Sequence, residues 1–468
     1  MDIYKRVKSL VSQNYPLGIG YIASFLRQAG HEIIFIDPEI MDMTYDDIAN
    51  KIKETRPGLV CITSMTSNLH SAVKLAQIAK ENTNIITVLG GIHASSLPYE
   101  TMKQYKEFDV LVIREGELTM KELCSAVEKG ENFNGVKGIM FREGDKIIKT
   151  EPRPLIDDID SLPFPARDLV DLGKYEPPEY LKINKKSATV RTSRGCPNQC
   201  TFCAAHLSMG YKFRPNSPDY VIREIRHLKE KYGVEYIIFY DDTFTINRQR
   251  VVDICNRLID EKLNIEFFCL ARVNTIDEDL VRLMKKAGLR AFSFGVESGN
   301  QQILNNIKKG TTLEQVRKAF KIVRKVGGIR IFSSFMMGLP GETHETIKDT
   351  INFAIDLNPD KAFFFILTPF PGSEIYNEYN GKLFNVSGDW KDYKYVLTDG
   401  TLALDSNVFT KDELKNYLVM ANKKFYTRPS YILGQIFKIR TYDEFLAHVK
   451  GASALFKQMM IVKKDNRQ

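Results

Sequence analysis

Arg194-Gly195-Cys196-Pro197-Asn198-Gln199-Cys200-Thr201-Phe202-Cys203 sets three cysteines at C-x3-C-x2-C spacing. Three clustered thiolates are one short of the four that close a zinc or iron–sulfur site. A cluster held here keeps one position open for a further ligand. The bland readings are a zinc site that borrows a distant histidine, and reactive thiols without metal. His206 follows the last cysteine by three residues and reads as a loop residue, because a fourth protein ligand would close the open position.

Working outward, the cysteine loop follows the first of six strand candidates: Ala188–Ser193, Tyr236–Tyr240, Ile265–Ala271, Ala291–Glu297, Ile329–Met337 and Ala362–Leu367. Helical stretches such as Pro218–Tyr232 and Leu313–Val326 separate them. Such alternation predicts an incomplete (β/α) barrel with its chemistry at the C-terminal strand ends. Upstream, Glu32–Asp37, Gly58–Ser64, Ile85–Gly90 and Asp109–Arg114 read as strands. They alternate with helices at Leu17–Ala29, Thr44–Thr55, Ser67–Lys80 and Glu117–Lys129, which predicts a parallel, doubly wound sheet. Gly138–Lys149 reads as a closing hairpin around Glu143-Gly144-Asp145. The proline- and acid-rich stretch Pro152–Pro178 reads as a linker packed on the surface. The expected fold class is therefore α/β. A doubly wound, Rossmann-like domain spans 1–150, a linker 151–185, a partial (β/α)6 TIM-like barrel 186–385, and a mostly helical region 386–468.

A chain of 468 residues is too long for one ordinary core, and several domains are expected. No apolar run reaches membrane-span length, and Met1–Arg6 carries no hydrophobic signal segment, so a cytoplasmic location is expected. Seven cysteines in this length form no disulfide framework. Cys61 and Cys269, in strand-like apolar runs, read as buried inert thiols. Met1–Gln13 reads as polar and helix-like. Ten Lys/Arg and three Asp/Glu fall between Ala421 and Gln468, so most of the net charge of +8 sits in the tail. A solvated helical cap is the favoured reading of that tail. Lys423–Leu433, which mixes bases with aromatics, leaves peripheral membrane contact open. No nucleic-acid partner is expected.

The cysteine spacing, with Phe202 before the last cysteine, resembles the radical S-adenosylmethionine (SAM) superfamily over residues 186–375. Asp241-Asp242, Arg272, Glu297-Ser298-Gly299, Gly338-Leu339-Pro340-Gly341 and Thr368-Pro369-Phe370 follow at successive strand ends. The resemblance implies that Cys196, Cys200 and Cys203 hold a [4Fe–4S] cluster. It also implies that Phe202, Asp241, Asp242, Arg272, Glu297, Ser298, Gly338 and Pro340 surround SAM. The first domain resembles the cobalamin-binding domain of one radical SAM subgroup through Pro16–Ala23, Gly30-His31-Glu32, Gly90-Gly91-Ile92-His93 and Glu115-Gly116-Glu117. Thr63, Ser64, Gly90, Gly91, His93, Ser95, Glu115 and Gly116 are then the expected cobalamin contacts. His93 reads equally as a structural histidine. No D-x-H-x-x-G frame supplies a lower axial histidine, and the strand that precedes Pro-Leu-Gly in the family is not legible.

The subgroup resembled includes anaerobic Mg-protoporphyrin cyclases and methylases. It implies a cobalamin-dependent methyltransferase acting on an unactivated carbon of a small-molecule, lipid or peptide substrate through a 5′-deoxyadenosyl radical and methylcobalamin. No side chain is assigned a catalytic role beyond the cluster and cofactors. An electron donor such as flavodoxin or ferredoxin is implied as partner. Other readings are a non-methylating cyclase or oxidoreductase, a tRNA methylthiotransferase, and a non-enzymatic cobalamin or redox sensor. A methylthiotransferase would want three cysteines in the first domain, where only Cys61 and Cys124 occur.

Overall fold

The computed structural model describes residues 13–81, 85–181, 183–379, 384–386, 389–393, 404–406 and 408–436. The readings made for Met1–Ser12 and for the tail beyond residue 436 lie outside the described residues.

The first domain runs α1 (Leu17–Gln28), α2 (Tyr45–Thr55), β1 (Leu59–Thr63), α3 (Leu69–Lys80), β2 (Ile86–Gly90), α4 (Ile92–Ser96), α5 (Pro98–Gln104), β3 (Val110–Val112), α6 (Glu117–Lys129), β4 (Ile139–Glu143) and β5 (Lys146–Lys149). Strands β1, β2 and β3 are parallel neighbours, and the β4–β5 hairpin continues the sheet antiparallel. Helices cover both faces. Leu26 of α1 and Met120 and Leu123 of α6 meet Val88, Val110 and Val112 on one side. Leu69, Ala72 and Ala76 of α3 meet Ile62, Leu89 and Leu111 on the other. The doubly wound layering expected from alternation is therefore present.

Two expectations for this domain are corrected. Residues 32–37 join no ladder among the described residues. They are held through side chains instead: Phe35 stacks on Tyr15 at 5.8 Å, and the Tyr175 hydroxyl donates to Asp37 Oδ2 at 3.0 Å. A β-rich run becomes a strand only where a neighbour offers its backbone. The Cys61 side chain on β1 is accessible to solvent, although its surroundings still push its thiol up to about 12; Cys124, Cys255 and Cys269 are buried.

The second domain runs β6 (Ser187–Val190), β7 (Ser193–Arg194), α7 (His206–Met209), β8 (Arg214–Pro215), α8 (Pro218–Tyr232), β9 (Tyr236–Phe239), α9 (Arg248–Asp260), β10 (Glu266–Ala271), α10 (Glu278–Ala287), β11 (Leu289–Glu297), α11 (Gln301–Asn306), α12 (Leu313–Val326), β12 (Arg330–Met337), α13 (His344–Leu357) and β13 (Lys361–Ile366). Strands β6, β9, β10, β11, β12 and β13 form one parallel sheet in chain order, with β6 and β13 as its two edges. This is the partial six-unit barrel. Its helices start where sequence chemistry says they should. The Ser217 hydroxyl caps α8 ahead of Pro218, and Gly233 ends that helix in the left-handed region. Thr312 and Gln315 form a capping box on α12. Leu181, Tyr236, Ile238, Phe268, Ala291 and Phe332 fill the barrel interior, so it is a packed core and not a pore.

Residues 152–178 are not a surface linker. Ile159, Leu162, Ala166, Leu172 and Tyr175 are buried, and Arg167 is only 1% exposed. Arg167 Nη1 pairs with Glu224 Oε1 at 2.8 Å, and Nη2 donates to the Thr189 carbonyl at 2.8 Å. The segment is a strap whose apolar residues fill the seam between the domains; its prolines and acids concealed that pattern.

After α14 (Glu374–Tyr379), a short antiparallel pair, β14 (Phe384–Val386) with β15 (Leu404–Ser406), precedes α15 (Lys411–Tyr426) and α16 (Pro429–Ile436). The basic-aromatic segment caps the barrel. Phe425 is fully buried, the Tyr426 hydroxyl donates to the Ala362 carbonyl at 2.6 Å, and Arg428 Nη1 donates to the Ile355 carbonyl at 2.9 Å. No helix among the described residues is long and apolar enough to cross a membrane.

Candidate cluster and cofactor site

The cysteine loop hangs from β7 and β8, whose pairing sets Arg194 opposite Arg214. Gly195 (φ +83°) stands against the Lys212 carbonyl, where any Cβ would collide with that oxygen. The Cys196 N–H donates to the Gly210 carbonyl at 3.3 Å. Cys196, Cys200 and Cys203 are each half-buried and free. Burial pushes the Cys203 thiol up to about 11; the Ala205 backbone opposes this, while Cys200, Asp242 and Cys196 add to it. The three sulfurs and Asp242 therefore share one environment.

Donors converge on these sulfurs. Asn198 Nδ2 donates to Cys196 Sγ at 3.3 Å, and Arg272 Nη1 to Cys200 Sγ at 3.8 Å. His206 begins α7 and stacks on Tyr211 at 4.7 Å. Among the described residues no group of three His, Cys, Asp or Glu side chains could hold a single metal ion. Three thiols softened by outer donors, with no fourth ligand assembled, fit a three-cysteine iron–sulfur cluster better than a closed zinc site.

Beside the loop, β11 breaks register against β12 between Gly295 and Glu297, and Glu297 takes φ +69°. A non-glycine residue held in this region marks strain that the surroundings must hold. Lys309 Nζ pairs with Glu297 Oε1 at 2.9 Å, with both side chains 8% exposed, and lies 5.7 Å from the Phe202 ring centroid. The Ser334 hydroxyl reaches Glu297 Oε2 at 3.3 Å. A Cβ on Gly295 would stand 2.8 Å from Lys309 Nζ, so glycine makes room for this pair. Arg272 Nη2 donates to the Lys309 carbonyl, joining the pair to Cys200. Glu297, Arg272, Phe202 and Asp242 are thus brought to the cysteines. Lys309 was missed, since nothing in Lys308-Lys309-Gly310 separates it from an ordinary surface base.

Four other expected SAM contacts are committed elsewhere. Asp241 is 1% exposed, and its Oδ1 accepts from the Thr192 N–H, the Thr192 hydroxyl and the Ser193 hydroxyl, which ties the end of β6 to β9. The Ser298 hydroxyl meets Thr350 of α13 at 3.1 Å. The Gly338 N–H donates to Glu342 Oε2 at 2.6 Å, and the Pro340 carbonyl accepts from Asn306 at 3.3 Å. Burial raises the Glu342 carboxyl to about 7 against those backbone donors.

On the first domain, Thr63, Ser64, Gly90, Gly91, His93 and Ser95 gather at the ends of β1 and β2. Nothing lies within 4 Å of where a Gly90 Cβ would stand, so the crevice at this strand end is open, and a doubly wound sheet seats its ligands at such strand ends. Gly91 is different. At φ +96° its Cβ would lie 2.6 Å from the Ser64 carbonyl, so the turn itself demands glycine there. His93 is 1% exposed, 3.3 Å from the Thr66 hydroxyl, and edge-on to Trp390 at 5.3 Å. Gly116 backs onto Ile22, and Glu115 turns its carboxylate toward the second domain.

Burial lowers the His93 imidazole to about 4 from 6.5. Between these values the unfolded chain binds a proton that the folded chain does not, so stability falls as pH falls. Denaturant unfolding of the apoprotein is expected to lose up to about 3 kcal/mol between pH 6.5 and 4, and His93→Gln is expected to flatten that part of the profile. Equal profiles for both proteins would show that His93 does not titrate this way.

Comparison with known proteins agrees with this geometry. The radical SAM superfamily model matches residues 190–354, and the B12 binding domain model matches residues 6–124. The chain is 38% identical to an uncharacterized methyltransferase of Pyrococcus horikoshii, covering 90% of each chain. It is 32% identical to the anaerobic magnesium-protoporphyrin IX monomethyl ester cyclase of Rubrivivax gelatinosus, covering 89% of this chain and 74% of the relative. Its fold superimposes on the radical SAM methyltransferase TsrM from Kitasatospora setae, solved with cobalamin and a [4Fe–4S] cluster, with a TM-score of 0.72, 14% identity, and coverage of 99% of this chain and 98% of that one. A three-thiol loop at a barrel strand end, joined to a Rossmann-like domain with an open strand-end crevice, belongs to the cobalamin-binding radical SAM enzymes, and this chain is one of them, with a [4Fe–4S] cluster, SAM and cobalamin as its cofactors.

Proposed function

We propose that the enzyme transfers a methyl group to an unactivated carbon of a small-molecule, lipid or peptide substrate. The observation that carries this reading is the 38% identity, along 90% of both chains, to a relative named an uncharacterized methyltransferase. When bound, the cluster and SAM supply a hydrogen-abstracting radical and cobalamin supplies the methyl carrier. The chain's own residues orient and enclose. Arg272 steadies Cys200 and the backbone at Lys309, and Glu297 with Lys309 forms the polar wall for the SAM ribose. Phe202, Leu270, Met336 and Phe365 are half-buried apolar side chains near the strand ends, a surface that bound substrate would cover and so shield from water. A cytoplasmic setting with a flavodoxin or ferredoxin as electron donor belongs to the same proposal.

The test uses reconstituted holoenzyme with candidate acceptors. Methyl transfer is expected to yield S-adenosylhomocysteine and 5′-deoxyadenosine in equal amounts. 5′-Deoxyadenosine without the homocysteine product would replace the proposal with the second reading, a non-methylating cyclase type, which the 32% identical protoporphyrin cyclase favours. Glu297→Gln is expected to weaken SAM binding by about 1–3 kcal/mol, because a buried Lys309 then loses its counter-charge. Equilibrium SAM binding to the cluster-loaded protein measures it, and unchanged affinity would remove Glu297 from the ribose site.

A further inference from the structure

Glu115 and Glu117 follow β3, at the strand ends that face the cobalamin crevice, yet their carboxylates point across the domain seam. Glu115 Oε1 accepts from Arg194 Nη1 at 3.0 Å and pairs with Arg214 Nη2 at 2.9 Å. Glu115 Oε2 accepts from Arg214 Nη1 at 3.0 Å and from the Ile156 N–H of the strap at 2.8 Å. Glu117 Oε1 accepts from Arg194 Nη2 at 2.6 Å. All four side chains are at most 6% exposed. Two acids and two guanidinium groups make a neutral cluster. Arg194 also lies over the Tyr21 ring of α1 at 5.2 Å.

The two arginines are not arbitrary partners. They are the paired residues of the β7–β8 ladder, the stem from which the cysteine loop hangs, and Cys196 is two residues past Arg194. One carboxylate, Glu115, therefore grips both strands of that stem from the other domain. Its approach is shaped by Arg114, at φ +69°, whose N–H donates to the Ser95 hydroxyl at 2.9 Å. Ser95 belongs to α4, at the edge of the Gly90 crevice. A continuous set of contacts thus runs from crevice to cysteine loop. Buried ion clusters add little net stability over apolar packing, but their fork geometry admits few alternative arrangements.

We propose that Glu115 and Glu117 are positioning residues that lock the cysteine-loop stem onto the first domain, so that the cluster and the cobalamin crevice keep one fixed separation. The inference holds whichever group the enzyme transfers.

The test is pulsed electron paramagnetic resonance on full-length protein carrying the reduced cluster and cob(II)alamin, reading the distribution of distances between the two centres. Wild type is expected to give one narrow distribution. Glu117→Asp keeps the charge but shortens the arm, and is expected to broaden the distribution or shift its maximum. Glu115→Gln, which loosens both strands of the stem, is expected to do so more strongly. A narrow distribution identical to wild type in Glu117→Asp overturns the proposal, as does loss of cobalamin from Glu117→Asp with the cluster retained, which would make the acid a cofactor contact. Should Glu115→Gln fail to fold, Glu117→Asp decides. A second readout needs no cofactor: in the apoprotein, amide hydrogen exchange of residues 194–214 is expected to speed up by on the order of tenfold in Glu117→Asp, while exchange in α12 stays at the wild-type rate. Uniform acceleration across the chain would mark general destabilisation and overturn the positioning role.

Discussion

Replacement of Cys196, Cys200 and Cys203 together by alanine is expected to remove essentially all iron and sulfide from anaerobically purified protein. The wild type should carry about four of each per chain. The three thiols share one environment on a loop stem held by β7, β8 and the first domain, so they reach the cluster as a unit. The barrel should persist in the variant, because its core lies in Tyr236, Ile238, Phe268 and Phe332 and not in the loop. Circular dichroism near wild type with no iron is the expected pair of results. Iron and sulfide persisting at about four per chain in the triple variant would overturn the assignment of these cysteines.

Arg167→Met is expected to be the most damaging single substitution in the seam. Arg167 and Glu224 are each 1% exposed, and no solvent reaches the pair. Truncating the guanidinium strands the Glu224 carboxylate in an apolar seam, and burial already drives that carboxyl upward. Losing one partner of a buried pair costs about 3–5 kcal/mol. The Thr189 carbonyl also loses its donor. Chemical denaturation of the apoprotein measures the loss. The double variant Arg167→Met/Glu224→Leu is expected to recover most of it, since replacing both charges removes the stranded one. A single variant within about 1 kcal/mol of wild type would mean that water enters the seam to solvate Glu224.

Much of the architecture is legible in the sequence because it is local. The six barrel strands, α8, α12, α6 and the β4–β5 hairpin follow from alternation, caps and glycine stops, each of which acts within a few residues. The cysteine spacing is likewise local, since three thiols within eight residues must share a loop. What sequence reading missed involves partners far apart in the chain. Residues 32–37 have strand composition, yet composition cannot say whether a neighbouring backbone is free to pair. Residues 152–178 look like a surface linker, yet the fit of Arg167 to Glu224, 57 positions away, draws the strap inside.

The site divides in the same way. Cys196, Cys200, Cys203, Glu297 and Arg272 could be named from motif and strand end, because a barrel presents its strand ends to one place. Lys309 as the counter-charge of Glu297, the commitment of Asp241 to Thr192 and Ser193, and the turning of Glu115 away from the crevice were decided only by tertiary structure. A side chain's residue type sets what it can bond, and its spacing along a strand sets which face it occupies. Which charge it finds there depends on how two domains pack. That is set by the desolvation of whole surfaces, a sum over residues that no single stretch of sequence contains.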